Sequence, residues 1–252
     1  MARRMSAFVG VALAALVGLV LTGPVSAADD GGIPAVPVHG QAAAHGQRLF
    51  VDVFYAKDGR PGPPGGGSVN CTDINTQTGF SAPFAFGSPI TLHVNDGTLP
   101  SGVNVNSANS ALSTAESSWN GAGAKLSFAT DGSETRPAQD GTSTIGWAHL
   151  VPKNVLAATW TWVDSSNHVV EADLFYNNAH PWATLATCPS SPTGNFDVAD
   201  IGTHEMGHVL GLSHYSDSAA QATMYPSAPS DEVRKVTLTA GDKSALQASL
   251  SG

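Results

Sequence analysis

The sequence predicts an α+β fold: a twisted, mixed β-sheet with a helix packed on it, then a loop and a second helix. Three observations carry this. Ile90-Thr91-Leu92-His93-Val94-Asn95 alternates as a half-buried strand does. Ala108, Ala111, Leu112, Ala115 and Trp119 recur at helical spacing and give one apolar face. Val155 to Val163 and His168 to Tyr176 flank Asp164-Ser165-Ser166-Asn167, a hairpin signal.

The 252 residues fit one large domain or two small ones, with enough chain to bury a core. A formal charge of −9 argues against nucleic-acid binding, which rests on basic patches meeting phosphates. With only 12% charged residues, a long coiled coil is also disfavoured. Two cysteines are too few for a disulfide-dense scaffold or a cysteine-built zinc finger.

In chain order, residues 1–28 read as a secretory signal peptide. Arg3 and Arg4 start it, Ala7 to Leu21 is apolar, and Val25-Ser26-Ala27 offers a small-residue cleavage site. The apolar run is short for a span needing ~20 residues and ends at Gly23-Pro24, so no membrane anchor should remain after cleavage. Residues 29–70 read as a leader or pro-segment: 29–47 lack periodicity and suggest a mobile stretch, while Leu49 to Tyr55 suits a strand. A run rich in Pro and Gly from Gly59 to Gly67 then breaks regular structure. The main domain is expected over 71–252. Export places Cys71 and Cys188 in an oxidising environment, where a bridge between them would stabilise the fold by ~4–5 kcal/mol in the chain-entropy model.

Within that domain Lys125 to Thr130 and Thr142 to Leu150 read as two further strands. In the second hairpin arm Val170, Ala172, Leu174 and Tyr176 share one face. Glu171 and Asp173 lie on the other, where solvent would meet them.

The segment His204-Glu205-Met206-Gly207-His208-Val209-Leu210-Gly211-Leu212-Ser213-His214 carries chemistry. Asp197 suits the N-cap of its helix, Asp200 the N3 position, and Phe196 can staple against Ile201. Residues four apart on a helix lie about 40° from eclipsed, so His204 and His208 project together. Glu205 falls on a neighbouring edge. Gly211 permits a positive φ that turns the chain, letting His214 return as a third ligand. Three imidazoles with one open position suit a catalytic Zn2+, and Glu205 suits the general base that takes a proton from water.

At these residues the sequence resembles the metzincin clan of zinc endopeptidases and, within it, the matrixin-like family. That likeness implies a zincin-type sheet with an active-site helix, a backing helix and a C-terminal helix, the last matched by Leu238 to Gln247. Thr223-Met224-Tyr225-Pro226 resembles the Met-turn, with Met224 beneath the metal and Tyr225 and Pro226 in the wall of the pocket for the side chain after the scissile bond. Val155 to Trp160 resembles the edge strand that aligns an extended substrate.

The likeness implies a secreted zinc-dependent endopeptidase acting on proteins or peptides, compact, bacterial and monomeric. Two other readings are a narrow peptidase on short or cell-wall peptides and a non-catalytic zinc-binding module; the intact Glu205 argues against the latter. The sequence departs from the vertebrate matrix-degrading members, because Cys71 lacks the Pro-Arg-Cys-Gly context of their thiolate switch. Calcium stays open: Glu171, Asp173 or Asn177 would suit it, and a solvated strand face accounts for them equally. His149, His168 and His180 suit surface or core positions as well as metal binding.

Overall fold

The computed structural model describes residues 31–57, 82–86, 89–215 and 222–251. The expected signal peptide and Cys71 lie outside the described residues.

Among the described residues eight strands form one sheet: β1 (Val38–Ala42), β2 (Arg48–Ala56), β3 (Ile90–Val94), β4 (Leu126–Ala129), β5 (Ser143–Ala148), β6 (Val155–Val163), β7 (Val169–Asn177) and β8 (Ser227–Ala228). Their spatial order is β8-β2-β6-β7-β5-β3-β4, with β1 pairing β2 beside β8. Strands β4, β3, β5 and β7 are mutually parallel, whereas β6 runs antiparallel to β7 through the hairpin at Asp164–Asn167. The hairpin forms because Asp164 accepts the N–H groups of Ser166 and His168, and Asn167 takes a positive φ of 66°.

Three α-helices cover one side of the sheet: α1 (Val105–Asn120), α2 (Val198–Val209) and α3 (Ala240–Ser251). Helix α1 buries the five residues its periodicity selects, Ala108, Ala111, Leu112, Ala115 and Trp119. Asn104 caps it by accepting the Ser107 N–H at 3.1 Å. The Trp119 indole donates to Thr203 O at 2.7 Å, tying α1 to α2. At α3, Thr239 and Asp242 cap each other: Asp242 Oδ2 accepts the Thr239 N–H at 2.8 Å, and Thr239 Oγ1 accepts the Asp242 N–H at 3.2 Å. A second apolar cluster lies across the sheet, where Ile33 and Ala35 pack with Val51, Val53, Trp160 and Trp162.

Three sequence-based expectations change. Within 29–47, the described residues 31–47 are partly regular: Ile33–Pro34 pairs with Leu150–Val151, and β1 pairs with β2 through a bulge between His39 and Gln41. Glycines, Pro34, Pro37 and the bulge erase the alternation that marks a strand, while backbone hydrogen bonds still form. Strand β6 is no edge, because β2 lies along it in antiparallel register from Arg48–Val163 to Tyr55–Val155. Its partner comes from far upstream, which local pattern cannot indicate. Glu171 and Asp173 are buried, since the loop before β5 folds over them and they accept the N–H groups of Ala138, Asp140, Gly141 and Thr144. Burial holds both carboxyls above their ordinary range, most strongly Asp173.

At Gly202 helix α2 comes close to strand β7 and to α1: a Cβ would stand 2.5 Å from the Tyr176 hydroxyl of β7 and 3.6 Å from Ala115 and Leu112 of α1. That hydroxyl is fixed by donation to Val198 O at 3.1 Å. Gly202→Ala should therefore lower stability by about 1–3 kcal/mol through overpacking, read as a lower midpoint in urea unfolding. An unchanged midpoint would mean that the Tyr176 ring can move aside at no cost.

Candidate metal centre

Helix α2 starts where the sequence places its cap. Asp197 Oδ2 accepts the Asp200 N–H at 2.8 Å, and Asp197 Oδ1 accepts from Leu185 N at 2.6 Å. The reciprocal half of a capping box is absent, because Asp200 Oδ1 turns instead to the Lys235 N–H at 2.7 Å. The helix ends in a sharp turn: Gly211 has φ +82°, and the Gly211 and Leu212 N–H groups donate to His208 O and Gly207 O. A Cβ at Gly211 would stand 2.8 Å from Phe84 O, so the turn has room for glycine alone.

Beyond that turn His214 comes back to the helix. The Nε2 atoms of His204, His208 and His214 form a near-equilateral triangle, with separations of 3.1, 3.1 and 3.0 Å. His204 Nδ1 lies 2.6 Å from Thr223 O, and His208 Nδ1 lies 2.8 Å from Leu212 O. A backbone carbonyl only accepts, so both Nδ1 atoms carry the proton and both Nε2 atoms present bare lone pairs. A proton on His214 Nε2 could satisfy one of the three contacts at a time. Three imidazole nitrogens at this spacing repel one another unless a cation lies among them, and the donor set suits Zn2+. Burial, then the neighbouring His208, holds His204 and His214 well below the ordinary histidine range. Neutral rings are the form that binds metal.

Glu205, on α2 between the two helical histidines, is fully buried. Its Oε2 accepts the Thr159 hydroxyl from β6 at 2.6 Å, and its Oε1 has no hydrogen-bond partner. Burial pushes this carboxyl well above its ordinary range, the Thr159 bond opposes the shift, and the nearby Asp52 charge adds to it. Burial thereby favours the protonated carboxyl, the form that can hand a proton on.

Below the histidines, Met224 is fully buried, and a Cβ on Gly207 would run into its thioether and the Trp119 ring. The turn closes through Tyr225 N–H to Ala222 O at 3.2 Å. Pro226 presents its carbonyl to Tyr55 N–H of β2 at 3.1 Å. Among the described residues His204, His208 and His214 are the one cluster spaced to hold a metal. His149, His168 and His180 stand apart from it, and His180 Nε2 lies 2.8 Å from Val155 O.

Four side chains near the site escaped sequence reasoning. Thr159 holds Glu205. Phe54 stacks tilted on His204 with ring centroids 4.2 Å apart. Asp52 Oδ2 lies 3.8 Å from His208 Nδ1. Lys235, buried, sits 5.6 Å from the Phe54 and Tyr225 ring centres and 3.2 Å from Glu232 Oε1. The sequence reads Leu49 to Tyr55 as a strand; what the face bearing Asp52 and Phe54 would meet it does not show.

Comparison with known proteins agrees with this geometry. The matrixin family model matches residues 95–250, well over half of the chain. Metalloendoproteinase 1 of Glycine max is 44% identical over 62 residues, which span 24% of this chain and 19% of that protein. The matched stretch is thus about a fifth of the relative's length. With more than half of its length matched, the segment from His204 to Pro226 included, the chain belongs to the matrixin family.

Proposed function

We propose that the chain is a secreted, zinc-dependent endopeptidase that hydrolyses peptide bonds in proteins or peptides, with Glu205 as general base. The observation that carries this reading is the convergence of three imidazole nitrogens, two of them fixed as bare acceptors by backbone carbonyls. His204, His208 and His214 would hold one Zn2+, which supplies Lewis acidity that eases loss of a proton from water and stabilises charge on a carbonyl oxygen. Glu205 Oε1 takes the proton as water attacks the peptide carbonyl and then delivers it to the leaving amine. Thr159 keeps Oε2 occupied, so that Oε1 remains the free oxygen. Met224 supports the helix face behind the histidines, and Tyr225 with Pro226 forms the wall of the pocket for the side chain after the scissile bond.

The same reading assigns residues 1–28 to a signal peptide, residues 29–70 to a pro-segment and residues 71–252 to the catalytic domain. It also pairs Cys71 with Cys188 and has the exported protein act as a monomer. Non-reducing peptide mapping should find the Cys71–Cys188 pair in the exported protein; two alkylatable thiols would refute it.

Glu205→Ala should keep stoichiometric zinc and lose about 10²–10⁴-fold in peptide hydrolysis. Normal proteolysis by that variant, or a purified wild type without bound metal, would overturn the proposal. Thr159→Val should leave metal content unchanged and lower kcat about tenfold, because a hydrogen bond to an ionised carboxylate is lost. A variant with wild-type kcat would remove Thr159 from the machinery. Since protons compete with metal for the imidazoles, and burial lowers those of His204 and His214, acidification should reduce bound zinc and activity together only well below the ordinary histidine range. Activity lost on acidification while zinc stays fully bound would count against loss of imidazole ligation as its cause.

A further inference from the structure

We infer that the cleft between α1 and the start of α2 is a second binding site, which takes a lysine side chain of an extended peptide. The site is separate from the metal centre, and the inference does not depend on the endopeptidase reading.

The cleft has a volume of about 620 Å3, within the range of pockets that hold small ligands. Three segments wall it: the outer face of α1, residues 184–186 before α2, and residues 233–237 before α3. Asp197, the cap of α2, also lines it and is only 1% exposed, which puts its carboxylate at the base. The base stands about two helical turns before His204, roughly 10 Å along the axis, and none of the three histidines lines the cleft.

Three features set the ligand, and the first is charge. Among the described residues that line the cleft, Asp197 is the one ionisable group, with no lysine or arginine facing it there. A carboxylate has about four acceptor sites, and the backbone N–H groups of Leu185, Ala199 and Asp200 take three. These bonds do not offset burial, which pushes the carboxyl up to about 6. The helix end supplies about half a positive charge, less than the full charge of the carboxylate, so the base stays net negative. A cation there supplies the missing compensation, and an anion is repelled. The single remaining acceptor site matches the point charge of an ammonium better than the two-pronged fork of a guanidinium.

The second feature is the apolar wall. Ala111, Leu185, Val233 and Val236 line the same cleft, a surface suited to the four-carbon stem of lysine. The third is the rim, where Ser107, Ser110, Thr184 and Thr237 add hydroxyls, three of them on exposed residues. A free alkylamine would use neither these hydroxyls nor most of the volume; the main chain of a peptide uses both.

The test uses the full chain carrying Glu205→Ala, so that no probe is cut. A pentapeptide, acetyl-Gly-Ala-Lys-Ala-Gly-amide, and its twin with norleucine in place of lysine are titrated and followed by NMR. The lysine peptide should shift the amides of Leu185 and Asp200 and bind about tenfold more tightly than the norleucine peptide. Asp197→Asn, which keeps a good helix cap, should bring the two peptides level. Ser110→Trp, on the exposed face of α1, should fill the mouth and weaken the lysine peptide tenfold or more, with an unchanged circular dichroism spectrum. Removing bound metal with a chelator should leave the preference for lysine intact.

Equal binding of the two peptides, a preference that survives Asp197→Asn, undiminished binding by the Ser110→Trp protein, or loss of the preference on chelation would each overturn the inference. Pentylamine binding as tightly as the lysine peptide would assign the cleft to free amines and overturn the peptide as its ligand.

Discussion

Three imidazole nitrogens held about 3 Å apart inside a protein are a costly arrangement without a cation, and much of this fold exists to hold them there. Two are locked in orientation by carbonyls of Thr223 and Leu212, groups that belong to the turns after α2. Those turns are held by Gly211, by the Met224 thioether beneath Gly207 and by the Thr223 hydroxyl, which donates to Lys235 O at 2.8 Å. Helix α2 is in turn fixed at its start by Asp197 and along its length by α1 through Gly202 and Trp119. Ligand position, tautomer and protonation state follow from packing several residues removed from the histidines themselves.

Burial sets the electrostatics in the direction such a centre needs. Desolvation favours neutral forms, so it lowers the histidines and raises the glutamate at once. Neutral histidines bind metal, and a glutamate that is readily protonated can accept a proton and return it. One physical cause thereby prepares both halves of the proposed chemistry. Thr159 moderates the effect at Glu205 and couples the helix to β6, the strand that β2 also pairs with.

The sheet's architecture bears on access. Among the parallel strands β3, β4, β5 and β7, the β3–β4 connection carries α1, a crossover of the kind a parallel pair requires. Antiparallel β6 follows as an outer strand of that set, and β2 then extends the sheet from a remote part of the chain. Pairing with β2 satisfies the open hydrogen-bonding edge of β6 and places Phe54 on His204 in the same act.

Much of the site was legible because its signals are local. Helical spacing of His204 and His208, the cap at Asp197, the glycine at the turn and the apolar stripe of α1 all depend on neighbours within a few residues, and each lies where periodicity puts it. By itself the sequence thus determined the α+β class and the helix that carries His204 and His208, with His214 returning to it. Tertiary structure alone decided what Glu171 and Asp173 meet, that Thr159 reaches Glu205, and that residues 48–56 lie along β6 above the histidines. Those outcomes turn on contacts between segments tens of residues apart, where closure of the chain and packing choose the partner and local alternation is equally compatible with solvent or core.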